Sequence, residues 1–72
     1  MKPQNVIYEG ITDLVILKET ELYSIARFNY DGRPRYGIRW NGEGESLGTP
    51  SSHGKATWFI LPDEVVDIKI KI

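Results

Sequence analysis

The sharpest pattern in this chain is the alternation over residues 66–72, where Val66, Ile68, Ile70 and Ile72 interleave with Asp67, Lys69 and Lys71. A side-chain period of two puts the aliphatic set on one face, which predicts a half-buried strand, and lysines suit a sheet edge. Residues 13–18 differ: Leu14, Val15, Ile16 and Leu17 form a continuous apolar run that fits a strand covered on both faces. A single helix over residues 12–28, with Thr12 as N-cap, is the alternative, and Val15, Ile16 and Ile25 oppose it only mildly. The β-rich remainder decides for a strand. Residues 6–8 are a shorter β-prone run. In residues 56–61, Trp58 and Ile60 share one face while Phe59 and Leu61 share the other. Pro62-Asp63-Glu64 suits one helical turn, since proline is tolerated at the first helical position. Residues 1–5 read as a loose polar lead.

Residues 22–41 are the centre of the predicted sheet, a hairpin around Asn29-Tyr30-Asp31-Gly32. Two registers compete. A type I turn closed by a left-handed glycine makes a three-residue loop with a bulge and sets Asn29 opposite Arg33. Leu22, Ala26, Phe28, Tyr36, Ile38 and Trp40 then form the core face, and Tyr23, Ile25, Arg27, Arg35, Gly37 and Arg39 the other. A two-residue Asp31-Gly32 turn instead groups Tyr23, Ile25 and Arg27 with Trp40, Ile38 and Tyr36. The bulge is preferred because it keeps every arginine out of the core. It sets Arg27 across from Arg35, a like-charge pair that needs an acid nearby. Glu43, Glu45, Glu19 and Glu21 are internal candidates, and a phosphate or an acidic protein surface is the external one. Gly37, between Arg35 and Arg39, leaves a gap that a backbone or a base could enter.

Five or six short strands joined by turns, without an amphipathic helix, predict an all-β domain: a small antiparallel barrel or roll, SH3-like in preference to an OB-fold. The OB-fold is disfavoured because residues 41–55 make a poor helix where that fold usually has one. Ala26-Arg27-Phe28-Asn29-Tyr30 resembles the ALYDY segment of SH3 domains over five residues only. An Asp-Gly turn follows at once and no tryptophan pair exists, so no family is assigned. Residues 41–55 contain four glycines, a proline and three serines, with Leu47 the single large apolar residue. Such a composition reads as a long loop, and loops of that length tend to be functional or mobile.

At 72 residues the chain is expected to be one domain with a thin core. There is no cysteine and one histidine, His53, which removes disulfides, thiolate sites and His-rich zinc arrangements. A net charge of −1 argues against a dedicated nucleic-acid binder, although a local patch could override it. No apolar run approaches a membrane span, and residues 1–10 lack the pattern of a signal peptide. Cytoplasmic location is therefore expected.

The candidate chemistry is sparse. Ser51, Ser52, His53 and Lys55 invite a nucleophile reading, yet neighbouring residues rarely reach attacking geometry and no orienting acid or oxyanion site is evident. Residues 48–55 fail the phosphate-loop pattern: Gly48 and Gly54 are one residue too far apart, and Ala56 stands where Ser or Thr should bind magnesium. Asn41, Glu43 and Glu45 begin like a calcium loop, but the twelfth position is Ser52. No metal, cofactor or enzymatic activity is expected. Trp40 and Trp58 are both read as core residues, with carbonyls of the long loop as partners for their indole N–H groups. The expectation is a binding or assembly module contacting a protein through Arg27, Arg33, Arg35, Arg39 and Tyr23, together with Ser51, Ser52, His53 and Lys55. Nucleic-acid binding by the same arginines is one alternative. Self-association through residues 66–72 is the other.

Overall fold

The computed structural model describes residues 2–62. A 3-10 turn at Pro3–Asn5 precedes β1 (Ile11–Glu19), β2 (Tyr23–Tyr30), β3 (Arg33–Trp40), β4 (Ser51–Ser52), β5 (Lys55–Ala56) and β6 (Phe59–Leu61). Strands β1, β2, β3 and β6 form one antiparallel sheet in that order, and β4 with β5 forms a separate ribbon. The domain is mostly β, as expected. Among the described residues the sheet is open and does not close into a barrel. The strand expected at residues 66–72 and the helical turn expected after Pro62 lie outside the described residues.

The preferred hairpin register is overturned. Tyr30 faces Arg33 and Asn29 faces Pro34, so the turn is the two-residue Asp31-Gly32. Asp31 and Gly32 have φ of 51° and 82°, the double left-handed conformation of a type I′ turn, whose twist matches that of the flanking strands. Pro34 fits this register. Antiparallel pairs alternate between bonded and non-bonded, and one step beyond the closing pair β2 requires no N–H from it. Arg27 therefore lies opposite Tyr36 and Arg35 opposite Phe28. The arginine–arginine strain does not arise, and no acid is needed to relieve it.

One residue of slip exchanges the faces. Ala26 and Phe28 point inward as expected, with Ser24, but the β3 residues that join them are Gly37 and Arg39, all buried, in place of Tyr36, Ile38 and Trp40; Leu22 is exposed. The core is Val6, Ile11, Ala26, Phe28, Ala56 and Trp58, flanked by Tyr8, Leu14, Ile16, Tyr30, Leu47 and Ile60. Phe28 and Trp58 pack with ring centroids 5.9 Å apart. They do so over Gly37, where a β-carbon would sit 2.6 Å from Phe28 Cε2. The gap at Gly37 is thus filled from within and admits no outside backbone or base.

Two other expectations change. The N-terminal lead is tied down: Pro3 is buried, and Asn5 and Val6 donate backbone hydrogen bonds to Lys2 and Pro3. Residues 6–8 form no strand. They cover the sheet instead, with the Val6 carbonyl accepting the Trp58 indole N–H at 2.8 Å. Leu14 to Leu17 is not a doubly covered run. Register shifts between Thr12 and Val15 and between Ile16 and Lys18 bend β1 and leave Val15 exposed.

Candidate functional site

The long loop hangs on one side chain. Arg39 is 3% exposed, against the expectation that every arginine stays outside. Its Nη1 donates to the carbonyls of Pro50 and Thr57, and its Nη2 to those of Trp40 and Leu47. Guanidinium is suited to this because it carries five donors in a rigid fork. The fifth, Nε–H, is buried without a partner among the described residues. Burial pushes the guanidinium below its ordinary pKa, against the opposing pull of Tyr8. Burial likewise raises the Tyr8 phenol, although its oxygen accepts the Trp58 backbone N–H at 3.1 Å. Gly48 permits the clamp: with φ of 72°, a β-carbon there would run into the Trp40 carbonyl and come within 2.7 Å of Arg39 Nη2.

A second polar network closes the same end of the sheet. Buried Asn41 accepts from Ser24 Oγ at 2.6 Å and donates from Nδ2 to the Thr20 carbonyl at 2.8 Å, while its backbone N–H bonds Leu22. The Thr20 hydroxyl in turn receives the N–H groups of Leu22 and Tyr23. These residues bind the β1–β2 connection to the end of β3. Sequence reasoning gave Thr20 and Ser24 no role and weighed Asn41 only as the start of a calcium loop.

Because Arg39 turns inward, its neighbours turn out. Tyr23, Ile25, Ile38 and Trp40 line a groove of about 440 Å³ on the solvent side, completed by Phe59 of β6 and by Thr49 and Pro50 of the loop. Trp40 is 59% exposed and Phe59 57%. The Tyr23 and Trp40 rings meet edge to face, 6.2 Å apart at 83°, and Lys18 Nζ lies 5.9 Å from the Tyr23 ring centre. The loop wall is fixed in place: Trp40 and Thr49 exchange backbone hydrogen bonds of 2.7 and 3.0 Å, and Thr57 N–H bonds the Pro50 carbonyl at 3.0 Å. The Thr49–Pro50 peptide is cis. Trp40 is therefore corrected from core residue to groove residue. Trp58 stays in the core, its indole held by the N-terminal segment and not by the loop.

The anticipated contact residues do not converge on one surface. Arg27 is exposed on the groove side of the sheet, beyond Ile25. Half-buried Arg35 lies on the opposite side, Arg39 is internal, and Arg33 is exposed beside the Asp31-Gly32 turn. Ser51, Ser52, His53 and Lys55 are exposed on the β4–β5 ribbon, which turns at His53 and Gly54 with φ of 51° and 77°. Of the residues singled out, Tyr23 and Arg39 line the groove, and the Arg39 guanidinium is turned to the loop carbonyls. Among the described residues no three His, Asp or Glu side chains gather as metal ligands, and no helix is long and apolar enough to cross a membrane. Comparison with protein-family models, curated proteins and solved structures returns no match.

Proposed function

We propose that this chain is a non-enzymatic binding module that receives a protein partner on the outer face of β2, β3 and β6. The observation that carries this reading is the exposure of Trp40 and Phe59 around a single apolar groove. A domain of this size buries only about 60% of its unfolded surface, so two large rings left in water are a substantial loss to its core. The largest apolar patch on a typical monomer covers about 300–600 Å² and is often functional, and interface hot spots are enriched in tryptophan and tyrosine. The nucleic-acid alternative loses the basic face it relied on. Arg39 is spent on carbonyls and Arg35 lies on the other side, whereas tracking a phosphate backbone takes several cations along one groove.

The corresponding fold is a small SH3-like barrel. It is supported by the meander of β1, β2 and β3, by the double bulge in β1, and by the alternating pattern of residues 66–72 as the segment available to close the sheet. Nuclear Overhauser contacts between that segment and β1 test the closure. For the binding surface, a photoreactive residue at Ile38 or Phe59 should cross-link a partner protein in the cells of origin. The same group at His53 or Lys55 should not. Cross-links confined to the ribbon, or to nucleic acid, would overturn the assignment.

A further inference from the structure

We propose that Asn41-Gly42 is a site of spontaneous deamidation that the fold holds shut. Each opening of the loop lets Asn41 become aspartate or isoaspartate, and either product stops the loop from closing again. This holds whatever the groove binds. Of the three asparagines, Asn5 and Asn29 precede Val6 and Tyr30, and Asn41 alone precedes a glycine. Asparagine is a thermolabile residue. Glycine is the successor that hinders its loss least, since it has no β-carbon and the widest backbone freedom. In the reaction, the Gly42 nitrogen gives its proton to solvent and bonds to Asn41 Cγ. The Cγ–Nδ2 bond breaks, ammonia leaves after taking a proton from solvent, and a cyclic imide remains. Water then opens the ring. Cleavage between the Gly42 nitrogen and Cγ leaves aspartate. Cleavage between that nitrogen and the Asn41 main-chain carbonyl carbon leaves isoaspartate, with the chain running through Cγ.

The fold needs both members of the labile pair. The Asn41 amide joins two elements, accepting from Ser24 Oγ at 2.6 Å and donating to the Thr20 carbonyl at 2.8 Å. Gly42 has φ of 81°, and a β-carbon there would lie 2.6 Å from the Gly48 nitrogen. The same contacts guard the pair. Asn41 is 6% exposed, which keeps water from it, and ring closure would have to break both bonds of its amide. Its backbone N–H is tied to the Leu22 carbonyl, which restrains the rotation that brings the Gly42 nitrogen to Cγ. Neither product fits back. Aspartate sets a carboxylate oxygen against the Thr20 carbonyl where a donor stood, and buries a charge. Isoaspartate adds a carbon to the main chain beside the close contact of Gly42 with Gly48. Trp40 directly precedes the site and exchanges hydrogen bonds with Thr49, so the groove wall is lost with the closure.

The test follows the full chain by peptide mapping and mass spectrometry, in buffer and in denaturing guanidinium chloride. In denaturant, residue 41 should gain the mass of an amide-to-acid conversion and yield an isoaspartyl peptide. In buffer the rate should be at least about tenfold lower, because reaction waits for an opening. Ser24→Ala removes one partner of the amide. It should raise the rate in buffer about two- to tenfold, the contribution of one hydrogen bond, and leave the rate in denaturant unchanged. The unsubstituted chain should also react faster as guanidinium rises below the unfolding transition, a measurement that needs no variant to fold. Chain deamidated in denaturant and returned to buffer should unfold at a lower denaturant midpoint than parent chain handled briefly in the same way. Equal rates in buffer and denaturant, no reaction in either, or a rate in buffer indifferent to Ser24→Ala or to guanidinium overturns the guarding. A deamidated chain that regains the parent midpoint overturns the one-way step.

Discussion

The two tryptophans of this chain sit on opposite sides of one sheet and do opposite things. Trp58 is 3% exposed, packs on Phe28 and donates its indole N–H to Val6; Trp40 is 59% exposed, and among the described residues its one aromatic contact is Tyr23. The same side chain is a keystone at one place and a free surface at the other. The difference teaches how the turn distributes side chains between the faces of the hairpin. Once Asp31 and Gly32 adopt the type I′ geometry, Gly37 and Arg39 share the face of Ala26 and Phe28, and Trp40 joins Tyr23 and Ile25 on the other. With Phe28 packed on Trp58 in the core, the protein accommodates a buried cation.

The contrast can be broken or sharpened by experiment. Trp58→Ala should destabilise the domain by about 3–5 kcal/mol, read from urea denaturation, because it opens a void beside Phe28 and frees the N-terminal cover. Arg39→Met comes next, at about 2–4 kcal/mol. Four carbonyls lose a charged donor, partly offset by relief of the buried charge. Arg39→Lys should not restore stability, since three donors on a flexible stem do not span four carbonyls in two directions. Full stability in Arg39→Lys would show that charge, not the fork, holds the loop.

Tyr8 gives a smaller, pH-dependent effect. Its phenol is raised above the ordinary value of 10.0, chiefly by burial. The unfolded chain therefore ionises first, so this contribution is whole below pH about 10 and is lost as the pH climbs through the raised value. Tyr8→Phe should flatten that alkaline limb in denaturation midpoints measured across it. An unchanged slope would dissociate Tyr8 from the effect. Smallest of all, Trp40→Ala should alter stability by no more than about 0.5 kcal/mol. A loss comparable with Trp58→Ala would make Trp40 a structural residue and dissolve the comparison.

Much of the sheet was legible in the sequence. The strand at residues 14–17 and the hairpin at residues 22–41 form; the 14–17 strand is not covered on both faces, and the expected loop at residues 41–55 holds β4 and the start of β5. Register was not, because both alternatives place good β-formers on each face, and keeping arginines out of the core favoured the wrong one. The competing signal was present: Asp-Gly is among the strongest two-residue turn dipeptides, and Pro34 sits where a missing N–H does no harm. The site was barely legible. Its groove is assembled from β2, β3, β6 and the loop, and only the register brings Tyr23, Ile38, Trp40 and Phe59 to one side. The role of Arg39 was hidden for a related reason. Its partners are backbone carbonyls, and these carry no mark in a sequence.

The clamp has a consequence for how the molecule comes apart. Carbonyls at positions 40, 47, 50 and 57 converge on one guanidinium, and of the residues between them Ala56 alone is in the core and Leu47 alone on its flank. Such a segment has no stability of its own and cannot fray residue by residue. It stands or opens as one cooperative unit. The wall formed by Thr49 and Pro50 opens with it, so the groove exists only while an arginine on the far side of the sheet keeps its grip.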